Sequence, residues 1–253
     1  MVHVLATGVC VSGVFKDLLC LPRPPSPPLQ RITMSGHVSL EYGFPSTHAT
    51  NAVSVAVYAL IAIRLLEYPL LLHSELIIET SIVVYVLSIV LGRLYCGMHG
   101  FLDVIGGSVL GAFLGFAQHL LESPFNSWIS HGTILYPLSA IIVILLFIRL
   151  HPEPVDDCPC FDDTVAFAAV ILGVEVGSWQ QTHLLSSFIS LHLLEKYDYP
   201  IAKAILRVSL GVLTIFAWRG SMKSILLRRL PPIFRNIEKL GLALPRKYFI
   251  RAT

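Results

Sequence analysis

Three short polar clusters interrupt an otherwise apolar chain. Lys16 is followed after six residues by Arg23-Pro24. Pro45-Ser46-Thr47-His48 forms the second cluster, and Arg93, His99 and Asp103 form the third, with five and then three residues between them. Two imidazoles, a carboxylate and three cations are what a protein needs to hold a phosphate, attack it and protonate the leaving group. Lys16, Arg23 and Arg93 can neutralise a phosphate dianion, and an arginine can grip two of its oxygens at once. A helix starting at Ser46-Thr47-His48 would add free backbone N–H groups and the positive end of a dipole. His99 and Asp103 are four apart and share a face if both are helical. Asp103 is therefore expected to accept a hydrogen bond from one imidazole nitrogen, leaving the other as a nucleophile. His48 arrives from a different helix, as a general acid at the leaving oxygen should. Taken singly, each feature has a plainer reading. A basic residue at a helix end is usually a snorkelling anchor, a histidine at a helix start a cap or a surface residue, and an H-x-x-x-D pair a helix-face hydrogen bond.

The elements that must position these residues are membrane helices. Of 253 residues, 55% are hydrophobic and 13% charged, against about 25% charged in a soluble domain. Mean hydropathy is +0.72. Only helices and closed barrels satisfy backbone groups in lipid, and the apolar runs lack strand-like alternation. An all-α polytopic bundle of six to seven spans is expected. Residues 2–15 read as the C-terminal part of a membrane helix, so the chain is expected to begin inside a span. The five prolines at 22–28 open a loop running to about Phe44. Spans are then expected at about 47–66, 76–95, 102–121, 133–150, 164–180 and 201–218, with a short apolar stretch at 183–195 that crosses or only dips in. The expected division is 1–150 as catalytic core, 151–218 as further spans, and 219–253 as a basic tail with nine Lys/Arg against Glu238. Helix parity then places all three clusters at one membrane face.

With a net charge of only +2, nothing points to nucleic acid, and no nucleic-acid partner is expected. The odd count and wide spacing of Cys10, Cys20, Cys96, Cys158 and Cys160 do not indicate a disulfide framework. Cys158-Pro159-Cys160 offers soft ligands in an acidic loop, but no metal site is expected. Ser35-Gly36-His37 is a decoy for the second cluster. It lacks the proline, and no apolar run follows it.

The three clusters resemble the motifs K-x6-R-P, P-S-G-H and S-R-x5-H-x3-D of the type 2 phosphatidic acid phosphatase superfamily. Every ionisable position matches, whereas Thr47 stands for the motif glycine and Gly92 for the motif serine. The resemblance implies a helix bundle of the haloperoxidase-like kind and a phosphohistidine formed on His99, oriented by Asp103. It implies that His48 protonates the leaving group and then activates water, and that Lys16, Arg23, Arg93, Ser46 and Thr47 bind phosphate. No metal or cofactor is implied. The stretches EYGFPSTHATNAVSV at 41–55 and YCGMHGFLDV at 95–104 are similar to the sphingosine 1-phosphate phosphatases, in particular their fungal and plant long-chain base branch. The implied substrates are sphingoid base 1-phosphates and the implied location is the endoplasmic reticulum membrane. The basic tail would face the cytosol by the positive-inside rule, and the acidic 151–163 loop would lie with the catalytic residues on the lumenal side.

The motif residues alone also fit a phosphatase of phosphatidate or polyprenyl diphosphate, or a lipid phosphotransferase. An anion transporter would hold its ligand near mid-membrane, whereas these clusters sit at span ends. An inactive scaffold would not be expected to fill every catalytic position.

Overall fold

The computed structural model describes residues 1–28, 30–33, 40–66, 71–156, 158–185 and 200–239. Among these the regular elements are helical: α1 (Val2–Leu19), α2 (Thr47–Arg64), α3 (Leu72–Tyr95), α4 (Phe101–His131), α5 (Leu135–Arg149), α6 (Cys160–Gln180) and α7 (Pro200–Lys239). A π turn, Gln181–Leu185, continues α6. The decoy at Ser35-Gly36-His37 and most of the 183–195 stretch lie outside the described residues.

Local signals explain where the helices begin and end. Ser46 is the N-cap of α2, its side chain accepting the Ala49 N–H. Asp103 reaches back from the first turn of α4 to accept the Gly100 N–H at 2.7 Å. Cys20 closes α1 in a left-handed conformation. α4 runs ten residues past the expected end at 121, straight through Pro124. Its Glu122 is held from α2 by the Tyr58 hydroxyl at 2.9 Å.

The residues Met1–Phe188 form one compact unit, in which α6 packs on α1 and α5 packs on α6. Its tightest seam joins α2 to α4. Gly107, Gly111 and Gly115 of α4 face Ser46, Thr50 and Ser54, which are fully buried. A Cβ at Gly111 would lie 2.3 Å from the Thr50 carbonyl oxygen, and one at Gly115 2.5 Å from that of Ser54. Backbone therefore meets backbone along this seam, as small residues permit between membrane helices. α1 also approaches α6 closely, where a Cβ at Gly13 would lie 2.3 Å from the Thr164 hydroxyl.

Among the described residues four helices are long and apolar enough to cross a membrane: α1, α3, α4 and a stretch of α7. α5 is apolar but short. α2, rich in Ala, Ser and Thr, spends its polarity on the buried seam and not on lipid. α3 buries none of its residues and exposes Ile77, Val84, Leu87 and Leu91, a lipid-facing surface. The chain is a multi-pass membrane protein built from helices.

The described part of the second unit is α7. It continues unbroken through Pro231 and Pro232, so residues 219–239 of the expected basic tail are helical.

Candidate active site

Between α1, α2, α3 and α6 lies a cavity of about 770 Å³. Lys16, Arg23, Thr47, His48, Arg93 and His99 all line it. Six of the eight residues singled out in the sequence thus converge on one space, although they come from three helices and two loops. α1 ends with Lys16 buried, the proline-rich loop brings back Arg23, and α2 begins at the cavity wall. α3 ends with Arg93, and the turn before α4 presents His99.

His99 is buried, and both ring nitrogens have partners. Nδ1 lies 2.9 Å from the Gly43 carbonyl oxygen and Nε2 lies 3.3 Å from Arg23 Nη1. A carbonyl only accepts, so Nδ1 carries the proton and Nε2 the lone pair. The expected orienting bond to Asp103 is not the closest contact. Asp103 Oδ2 stands 3.6 Å from Nδ1, and its hydrogen bond goes to Gly100. The four-residue spacing argument assumed that His99 is helical. Here α4 starts at Phe101, so His99 sits in the turn before the cap and its ring reaches the Gly43 carbonyl instead. Gly43 must be small, because a Cβ there would lie 2.9 Å from the Pro22 carbonyl oxygen and 3.1 Å from Asp103 Oδ2.

Ser46 also differs from expectation. It is fully buried behind the cavity wall, its N–H donating to the Asp103 carbonyl at 2.9 Å and its hydroxyl capping α2. It therefore holds the end of α2 against α4. The first-turn N–H groups of Thr47 and His48 have no intrahelical acceptor, and these are the donors the cavity can use. The Thr47 hydroxyl is within 3.0 Å of Ser12 Oγ on α1.

The sequence reading assigned no role to Glu41. Its carboxylate bridges the two buried cations, Oε1 to Lys16 Nζ at 2.5 Å and Oε2 to Arg23 Nη2 at 2.6 Å. Burial alone would raise the Glu41 pKa, but Lys16 and Arg23 beside it hold the carboxyl below its ordinary range. Arg93 makes no ion pair among the described residues. The available signal for Glu41 was an acid placed just before the second cluster in a chain poor in charge.

Burial, reinforced by Arg23 and Lys16, lowers the His99 pKa to about 3. A depressed value keeps the imidazole neutral, with its lone pair available, well below the ordinary 6.5. Acylation of His99 by diethylpyrocarbonate, followed by peptide mass analysis, should keep its intrinsic rate from pH 7 down to about pH 5. A rate halved near 6.5 would mean that the ring titrates like a solvated histidine.

Cys158 and Cys160 form a disulfide, contrary to the expectation from cysteine count. The pairing spans a single residue, a spacing too short for framework rules to address. Asp17 completes a compact set of possible metal ligands with these cysteines. The two sulfurs are bonded to each other, and Asp17 is already paired with His151 at 2.8 Å.

A family profile described as the PAP2 superfamily matches residues 1–127. The chain is similar to a dihydrosphingosine 1-phosphate phosphatase of Schizosaccharomyces pombe, 38% identical over 237 residues, covering 93% of this chain and 57% of the relative. A second dihydrosphingosine 1-phosphate phosphatase, of Saccharomyces cerevisiae, is 34% identical, covering 87% of this chain and 53% of its own length. Human sphingosine-1-phosphate phosphatase 2 is 34% identical, covering 67% of this chain and 41% of its own length. The chain spans about half the length of the curated relatives it matches. No solved structure gives a significant match.

Proposed function

The chain belongs to the PAP2 superfamily, and from that premise we propose that it dephosphorylates long-chain sphingoid base 1-phosphates to free base and inorganic phosphate. The substrates are sphinganine, phytosphingosine or sphingosine 1-phosphate. The observation that carries this reading is the single cavity holding Lys16, Arg23, Arg93, Thr47, His48 and His99. Relatives named for the same substrate class support it.

The chemistry follows from the placement. Lys16, Arg23 and Arg93 neutralise the phosphate, and the Thr47 and His48 N–H groups add donors at the start of α2. His99 Nε2 attacks phosphorus. The bond from phosphorus to the ester oxygen breaks as the new nitrogen–phosphorus bond forms, and His48 gives the departing alkoxide a proton. His48, now neutral, takes a proton from water, whose oxygen attacks the phosphohistidine and returns His99. Gly43 holds the His99 tautomer throughout, and Asp103 supports the positive charge that develops on the ring from 3.6 Å away. Val9, Tyr85, Ile89 and Phe167 line the same cavity and provide an apolar wall for a single alkyl chain.

The membrane is taken to be that of the endoplasmic reticulum, with the cavity on the lumenal side. Asp163, at the end of the acidic loop, lines the cavity, and the positive-inside rule disfavours a cytosolic face there only through its shortage of Lys and Arg. The neighbouring Cys158–Cys160 disulfide suits an oxidising compartment.

Membranes carrying the protein should release phosphate from sphinganine 1-phosphate in excess EDTA, and more slowly from phosphatidate or ceramide phosphate. Activity lost to EDTA and restored by magnesium would overturn the metal-free step. A panel led by phosphatidate would overturn the substrate class.

A further inference from the structure

Glu41 is an acid at the centre of a site built to bind an anion. We propose that it recognises the protonated amine of the substrate and makes the enzyme selective for phosphates with a neighbouring ammonium. The inference rests on the sphingoid phosphatase reading above and concerns how that site tells its substrate from other lipid phosphates.

The Glu41 carboxylate pairs with both Lys16 and Arg23. These are the cations that a phosphate must use. The cation side chains are nearly inaccessible, at 3% and 4% exposure, whereas that of Glu41 is 28% exposed. The carboxylate is therefore the member of the trio that can move. Arg23 Nε also donates to the backbone carbonyl of Glu41 at 3.0 Å. That tether does not involve the carboxylate, so Glu41 stays at the site when a phosphate takes its place on the cations.

The displaced carboxylate then has lost both ionic partners and lies beside a phosphate dianion. A partly buried, unpaired charge next to a like charge is unfavourable. A substrate that brings its own cation removes the penalty. In a sphingoid base 1-phosphate the amine is on the carbon next to the phosphate-bearing one, and it is protonated at neutral pH. Phosphatidate has no such group, and ceramide phosphate has it acylated and neutral. Asp163, from the first turn of α6, lines the same cavity and adds to the negative potential around the amine. One set of residues thus binds phosphate through Lys16 and Arg23 and discriminates through the acid those cations hold in reserve.

The test compares kcat/KM for sphinganine 1-phosphate, N-acetylsphinganine 1-phosphate and octadecyl phosphate in the wild type and in Glu41→Gln. The wild type should prefer the free amine by about tenfold or more, the scale of one partly desolvated charge contact. In Glu41→Gln that ratio should collapse towards unity. A wild type without the preference would overturn the assignment while leaving the phosphatase reading intact, and so would a Glu41→Gln enzyme with the preference unchanged. Failure of the wild type to hydrolyse any of the three would overturn the phosphatase reading itself. Should Glu41→Gln fold too poorly to assay, inhibition of the wild type decides. Ethanolamine phosphate should compete better than ethyl phosphate by a similar factor, and equal inhibition by the two would overturn the assignment.

Discussion

His99→Ala should abolish turnover, by about 10⁴-fold or more, the scale seen when a covalent nucleophile is removed. The size follows from the placement of the ring. Nε2 is the nitrogen left with a lone pair once Nδ1 donates to Gly43, and it already lies against the Arg23 guanidinium at the cavity wall. Among the described residues no other imidazole takes that position in the site, so the substitution removes the attacking atom. His48→Ala should behave differently. General acid–base steps contribute about 10²–10⁴-fold, and hydrolysis of the phosphohistidine depends on the same residue. Rapid-quench labelling with ³²P substrate should therefore show acid-labile label on wild-type protein and none on His99→Ala. His48→Ala should retain a trace of label that decays slowly. Label on His99→Ala would move the nucleophile elsewhere. Label of equal size and lifetime in wild type and His48→Ala would remove His48 from the water step. His37→Ala should leave most of the activity, which separates the two S-x-H sequences.

Gly111→Val should cost both stability and turnover, though Gly111 does not line the cavity. Even a bare Cβ at this position would sit 2.3 Å from the Thr50 carbonyl oxygen and 3.0 Å from its carbon. These are backbone atoms of a helix and cannot rotate away. α2 has to move off α4, and overpacking of this kind costs about 1–3 kcal/mol. The same shift displaces the start of α2, where Ser46 donates to Asp103 and where Thr47 and His48 face the cavity. A misplacement of about 1 Å can cost about 10²-fold in rate. The midpoint of thermal inactivation in detergent and kcat/KM should fall together. Gly173→Ala on α6 is the control, because a Cβ there meets nothing within 4 Å. Wild-type stability and turnover in Gly111→Val would show that the α2–α4 seam does not hold the site together.

The candidate site was legible because membrane helices make charge conspicuous. Lys16, Arg23, Arg93, His48 and His99 are costly in an apolar chain, and counting spans was enough to put them at one face. Thr47 was found from its place at a helix start, and it lines the cavity. Ser46 shows the limit of the same rule. A residue at a helix start can point to the ligand or cap the helix, and spacing does not distinguish the two. Here Ser46 is fully enclosed against α4 and caps. Asp103 was expected to accept a hydrogen bond from His99, and it stands 3.6 Å from Nδ1 while its hydrogen bond goes to Gly100. A four-residue interval means one face only inside a helix, and α4 begins two residues after His99.

Sequence alone determined the solvent of this protein, the helical class, the order of the elements and the set of groups available to a phosphate. Each depends on local composition or on spacing along the chain, and both can be read without folding it. Only the tertiary structure decided which atoms those groups face. It gave the His99 proton to a Gly43 carbonyl brought from 56 residues away. It closed α2 on α4 through glycines whose only role is to have no side chain. It placed Glu41 between Lys16 and Arg23, 25 and 18 residues distant. Contacts across such separations depend on how helices pack and where loops return, and no local interval records that.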